Sequence, residues 1–172
     1  EDTPLELNLR AFDVDGDELS YTAESLSPEQ VFAEVTGNLL SLIPLENWTG
    51  TAAITVVVSD GELTDAETFQ FTVSGTNDPP VLVDIDDQVT YEDVPLTIVI
   101  DASDIDGDIL YYSAETSSPN IELVLNENEL TMIPAEFFNG LVVITVTVSD
   151  GLNSDSDTFV LEVIPVNNTP II

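Results

Sequence analysis

The chain has 172 residues, 43% hydrophobic and 20% charged, proportions ordinary for folded protein, yet its formal net charge is −33. Its one basic residue is Arg10, so it cannot neutralise phosphates, and neither nucleic acid nor an anionic membrane surface is an expected partner. With no Cys, no His and no Lys, it has no disulfide staple and no side chain suited to nucleophilic or near-neutral acid-base work, which argues against an enzyme.

Residues 4–12 alternate Leu5, Leu7, Leu9 and Ala11 against Glu6, Asn8 and Arg10, the two-residue period of a half-buried strand. The strand runs into an acidic loop, Asp13-Val14-Asp15-Gly16-Asp17. Further runs of the same period follow at Leu19, Tyr21 and Ala23, near 38–43, at Ile54, Val56 and Val58, and at Phe69, Phe71 and Val73. Gly75-Thr76-Asn77-Asp78-Pro79-Pro80 then forms a linker stiffened by its paired prolines, and Val81 to Thr90 predicts a strand opening a second unit.

The whole pattern restarts at Glu92-Asp93-Val94-Pro95, matching Glu1-Asp2-Thr3-Pro4, and continues through Asp104-Ile105-Asp106-Gly107-Asp108 to Ser149-Asp150-Gly151, which matches Ser59-Asp60-Gly61. A fixed internal period of this kind means two tandem copies of one fold. Strand runs separated by turn residues, with no helical period anywhere, predict all-β sandwiches with Greek-key connections. The boundaries read as 1–78 for a first repeat lacking its first strand and 79–168 for a second. Residues 169–172 would start a following repeat, since Pro170-Ile171-Ile172 matches Pro80-Val81-Leu82. There is no signal-peptide pattern and no apolar run of membrane-spanning length, so no membrane insertion is expected. The expectation is a window from a longer array, or else a filament subunit whose missing strand comes from an identical molecule.

The repeated loop carboxylates point to a hard divalent cation, because Ca²⁺ takes six to eight oxygen ligands and tolerates irregular geometry. An EF-hand does not fit: Gly16 is fourth from Asp13 rather than sixth, and Leu19 to Glu24 alternates as a strand. Counting alternating strand directions places Asp13 to Asp17 and Asp60 at one pole of a unit, with Glu1, Pro44 to Gly50 and Asn77-Asp78 at the other. Glu1, Asn77 and Asp78 of the first repeat would thus meet Asp104, Asp106 and Asp150 of the second. Two like charges about 4 Å apart cost on the order of 4 kcal/mol at an effective dielectric of about 20, so such a junction should splay without a cation and lock with one. Asp13, Asp15 and Asp60 would form a half-site toward a preceding unit, and Asp17 and Asp108 are further ligands on offer. The plainer reading of the same loops is that Asp and Gly make good turns.

The motifs E-D-x-P, D-x-D-G-D, N-x-x-G at Asn47 to Gly50, V-S-D-G and N-D-P-P resemble those of the bacterial cadherin-like tandem repeats of large surface adhesins. The resemblance spans nearly the whole chain. It implies cadherin-like (Ig-like) sandwiches that bind Ca²⁺ between successive repeats, with the ligand roles falling on Glu1, Asp104, Asp106, Asp150, Asn77 and Asp78. The cadherin D-R-E motif has no counterpart here. The implied function is a calcium-rigidified extracellular or cell-surface spacer whose partners are neighbouring repeats of the same chain, identical molecules in a fibre, or surface glycans. The alternative is a carbohydrate-binding module, although Trp48, Tyr112 and Tyr21 are expected as core plugs rather than a sugar platform.

Overall fold

A computed structural model describes residues 1–167; Asn168 and the expected start of a following repeat at 169–172 lie outside the described residues. Two units are distinguished, Glu1–Thr76 and Asn77–Ile172, so Asn77 and Asp78 group with the second. Every element among the described residues is a strand.

In the first unit, β1 (Leu5–Asn8), β4 (Leu39–Pro44) and β3 (Val31–Thr36) form one sheet in the order β1-β4-β3. The other sheet has the order β2-β5-β6, from β2 (Ser20–Ser25), β5 (Gly50–Ser59) and β6 (Thr64–Val73). Successive strand side chains point to opposite faces, so Leu40 and Leu42 of β4 and Ala52 and Ile54 of β5 turn inward and are fully buried together with Val31. Trp48 packs against this core, as expected of a plug. Its ring explains Gly50: a Cβ there, at φ 148°, would lie 2.7 Å from Trp48 Cζ2.

The second unit contains β7 (Val81–Leu82), β8 (Gln88–Tyr91), β9 (Leu96–Val99), β10 (Ala102–Ser103), β11 (Tyr111–Thr116), β12 (Ile121–Asn126), β13 (Glu129–Pro134), β14 (Gly140–Ser149) and β15 (Ser154–Ile164). They form sheets β11-β14-β15-β8 and β12-β13-β9, plus a two-stranded ribbon of β10 and β7. Among the described residues only β8 pairs in parallel, with β15. The core here is larger: Ile100, Leu130, Met132, Ile144, Val146, Val148 and Leu161 are wholly inaccessible, and Phe159 is 2% exposed.

Several predicted strands differ from those formed. The expected strand 4–12 ends at Asn8, and its counterpart splits into β9, paired with β13, and β10, paired with β7. The chain passes between sheets there while keeping the same face inward, so the alternation gives no sign of the break. The expected strand Val81–Thr90 is likewise two short strands. From β7 into the gap, carboxylates stand in for ladder partners: Asp155 Oδ2 accepts from Leu82 N (2.9 Å), Asp157 Oδ2 from Ile85 N (2.7 Å), and Asp87 Oδ1 from Val160 N (2.8 Å). Strands β3 and β12 were not foreseen. Phe32 at 55% exposed and Val124 at 45% add apolar residues to the outer face and blur the two-residue period.

The E-D-x-P motif also acquires a structural role. Asp2 Oδ1 accepts from Asn47 N (2.8 Å) and Asp93 Oδ1 from Phe137 N (3.0 Å), tying each strand entry to the same turn. Both turn residues have left-handed backbone, φ 57° and 63°, which Asn tolerates and Phe does not favour.

Candidate metal centre

In each D-x-D-G-D loop the first aspartate organises the turn. Asp13 Oδ1 accepts from Asp15 N (2.8 Å), Gly16 N (2.8 Å) and Asp17 N (3.1 Å). Asp104 Oδ1 accepts from Asp106 N (2.9 Å) and Asp108 N (3.2 Å). Closing the chain this tightly requires left-handed backbone at Gly16 and Gly107, φ 85° and 79°. The turn reading is therefore correct for Oδ1, but it leaves the other carboxylate oxygen unexplained. Asp104 Oδ2 is buried with no hydrogen-bond donor. Burying an unsatisfied charged acceptor is costly, and a cation would remove that cost.

Asp104, Asp106 and Asp108 each bring one carboxylate oxygen within 4.8 Å of the other two. Antiparallel pairing adds the remaining members. Tyr111 pairs with Ser149 and Ser149 with Ser154, which sets the Asp150 turn beside the loop that leads into β11. Asp150 Oδ1 accepts from Leu152 N and Asn153 N, both at 2.6 Å. The incoming chain is tied to both loops: Asn77 Nδ2 donates to Asp150 Oδ2 (2.8 Å), and Asp78 N donates to Asp106 Oδ2 (2.8 Å). Asn77, Asp78, Asp104, Asp106, Asp108 and Asp150 thus occupy one end of the second unit, a donor set of hard oxygens with no basic residue in that unit.

The first unit is organised differently. Glu1 sits where its own chain leaves, Oε1 accepting from Thr76 N (2.9 Å) and Thr76 Oγ1 (3.3 Å). Asp13 and Asp60 line one shallow groove with Phe12, Leu19 and Leu63, but Asp13, Asp15 and Asp17 do not form a group of three within the same distance among the described residues. Asp60 Oδ1 accepts from Glu62 N and Leu63 N, 2.7 Å each, and these donors, Leu63 first, hold its carboxyl below the usual aspartate range.

Asp150 is also held low, first by the Asn77 amide and then by the Asn153 N–H. A depressed folded value means that its stabilising contribution is complete above the ordinary aspartate value of about 3.9 and is lost as pH falls through the folded value. The Asn77 side-chain amide resonances should therefore hold constant from neutral pH to about pH 4 and move only below it. In Asp150→Asn, which keeps an oxygen acceptor but cannot titrate, that low-pH movement should vanish. A titration centred well above pH 4 in the parent chain would contradict the assignment.

The family profile of the bacterial Ig domain matches residues 1–73 and again 77–163. The chain belongs to the bacterial Ig domain family. Its two bacterial Ig domains are 30% identical over 159 residues to chitinase A of Pseudoalteromonas piscicida, covering 90% of this chain and 19% of the chitinase. They are 21% identical to an endo-fucoidan hydrolase of glycoside hydrolase family 107, over 97% of this chain and 27% of that one, with a TM-score of 0.41. The chain thus spans about a fifth to a quarter of the length of these two relatives. Human protocadherin-24 EC1-2 is similar in fold, with a TM-score of 0.56 at 16% identity over 95% of this chain and 88% of that one. The bacterial Ig domains here are accordingly cadherin-like tandem β-sandwiches, as the motifs implied.

Proposed function

We propose that this tandem pair is a non-catalytic spacer of an extracellular, surface-displayed repetitive protein, and that Ca²⁺ at the acidic end of the second unit stiffens the linker. The observation that carries this reading is the buried, donorless Asp104 Oδ2 within the Asp104, Asp106 and Asp108 group. Those three, with Asp78 of the linker and Asp150, would hold the ion, and Glu1, Asn77, Asp13, Asp15 and Asp60 are the remaining expected ligands of this or a neighbouring site. The bound ion supplies positive charge that cancels carboxylate repulsion. The residues do the rest: Asn77 and Asp78 are already pinned to the two acid loops, and the proline pair behind them limits backbone rotation. Extracellular calcium modules work at dissociation constants of about 10⁻⁴ to 10⁻³ M, which suits a site open to solvent. Small-angle scattering should show a larger maximum dimension in calcium than in EGTA. Indistinguishable curves would defeat the stiffening role.

A second reading is favoured by the stretch shared with chitinase A: an accessory module that keeps a polysaccharide-degrading enzyme on its substrate. Retention of the chain on chitin, or binding on a glycan array, would favour it. Partner repeats and identical molecules in a fibre remain the partners that the spacer reading calls for.

A further inference from the structure

The two units place matching residues in matching registers, so each is a control for the other. Phe32 of β3 pairs with Ile43 of β4 as Glu122 of β12 pairs with Ile133 of β13. Both positions face outward, since their chain neighbours Val31 and Ile121 are the buried ones. Around this position the second unit carries Ser118, Asn120, Glu122 and Ala135, where the first carries Pro28, Gln30, Phe32 and Leu45. The fold therefore does not require an apolar surface there, yet Phe32 is 55% exposed, Leu45 57% and Ile43 38%.

With Pro28 and Gln30 these three line a groove of about 190 Å³. Its walls are tied together: Leu45 N donates to Gln30 O (2.7 Å), and Gln30 N and Val31 N both donate to Ser27 O (3.0 Å each). Strand β3 is also an edge, laddered to β4 alone among the described residues, so an extended segment can add beside it. The charge around the groove has one sign. Glu29 belongs to its lining. Glu34 lies two residues beyond Phe32 on the same face, in one row with Ser41 and Glu6. Arg10, the one basic residue, is not part of the lining.

We propose that this groove docks an extended segment of a different protein, one that presents an apolar side chain between two Lys or Arg residues on a single face. The apolar side chain packs against Phe32, Ile43 and Leu45, while the flanking cations meet Glu29 before it and Glu34 and Glu6 beyond it. Charge decides against a second copy of the chain as the occupant: with 34 acids and one basic residue, a copy cannot supply two neighbouring cations and repels its twin. The docking goes beyond the spacer reading and is independent of calcium, because none of these residues is among the expected metal ligands.

The probe is the peptide Thr-Lys-Thr-Phe-Thr-Lys-Thr, whose Lys, Phe and Lys share one face when extended. Titrated into the full-length chain in EGTA, it should bind saturably and shift the backbone amide resonances of β3, Ile43 and Leu45 ahead of all others. Replacing its Phe by Ser should weaken binding about tenfold or more, the worth of one buried aromatic side chain. Phe32→Glu combined with Leu45→Ala installs the second unit's residues, so the melting temperature in EGTA should hold. That double variant should lose the saturable binding even though it carries one more negative charge. Glu34→Gln should weaken the binding and flatten its dependence on salt. Equal binding of the Ser peptide, with shifts spread over the acid loops, would reveal only attraction to a polyanion and overturn the proposal. No binding at millimolar peptide, binding unchanged in the double variant, or self-association of the chain through Phe32 that excludes the peptide would each overturn it as well.

Discussion

Asp104→Asn should weaken calcium binding to the second unit by about tenfold or more, ~1.4 kcal/mol, without lowering the melting temperature measured in EGTA. The two signs differ because the side chain has two jobs. Its Oδ1 accepts from Asp106 N and Asp108 N, and an asparagine oxygen can continue to do so. Its Oδ2 is the buried acceptor without a donor, and an amide there supplies neither the charge nor a comparable ligand. Ligand-linked stabilisation grows as RT ln(1 + [Ca²⁺]/Kd), about 2.7 kcal/mol at a hundredfold excess over Kd. The calcium-dependent rise in melting temperature should therefore shrink in the variant while the apo value holds or rises, since one of three crowded negative charges is gone. Isothermal titration and a thermal melt with and without EGTA check both halves. An unchanged affinity would remove Asp104 from the site. Asp13→Asn in the first unit should have a smaller effect on affinity, because its loop acids are not gathered in the same way.

Phe159→Ala should destabilise the second unit by about 3–5 kcal/mol, lowering its calorimetric transition by more than about 12 °C for a domain of this size. Phe159 is 2% exposed and sits in one buried cluster with Ile144, Val146 and Leu161, so its removal leaves a cavity that close-packed neighbours, the β-branched Ile144 and Val146 above all, collapse into only partly. Phe69→Ala, at the matching position of the first unit, should cost clearly less, because Phe69 is only partly buried and lines an open groove with Leu9 and Val56. Equal costs at the two positions would mean that the groove is closed in solution. In the parent chain the first unit should unfold at the lower temperature, having the smaller buried core.

How far the fold was legible can be judged from particular residues. Leu40, Leu42, Ile54, Ile144 and Val146 declared their inward faces through the two-residue period, and all are buried. The acid loops declared themselves as turns through Asp and Gly chemistry. By contrast, the runs at 4–12 and 81–90 looked continuous although they break, because a strand that changes partner need not change face. The carboxylates of Asp2, Asp87, Asp93, Asp155 and Asp157 gave no hint that they would accept backbone N–H groups from distant segments; in sequence such an aspartate is indistinguishable from a solvated one.

The sequence by itself determined the two copies, the all-β class, the side of each main run that turns inward, and the places where carboxylates would be plentiful. Those properties are local: they follow from residue type and from a period read over a few neighbours. Tertiary structure alone decided that Asn77 Nδ2 donates to Asp150 and Asp78 N to Asp106, that Asp104 keeps one oxygen buried without a donor, and that Phe159 is sealed where Phe69 is not. Each of these depends on ladder register and packing between residues far apart in the chain. No window of neighbouring residues contains that information.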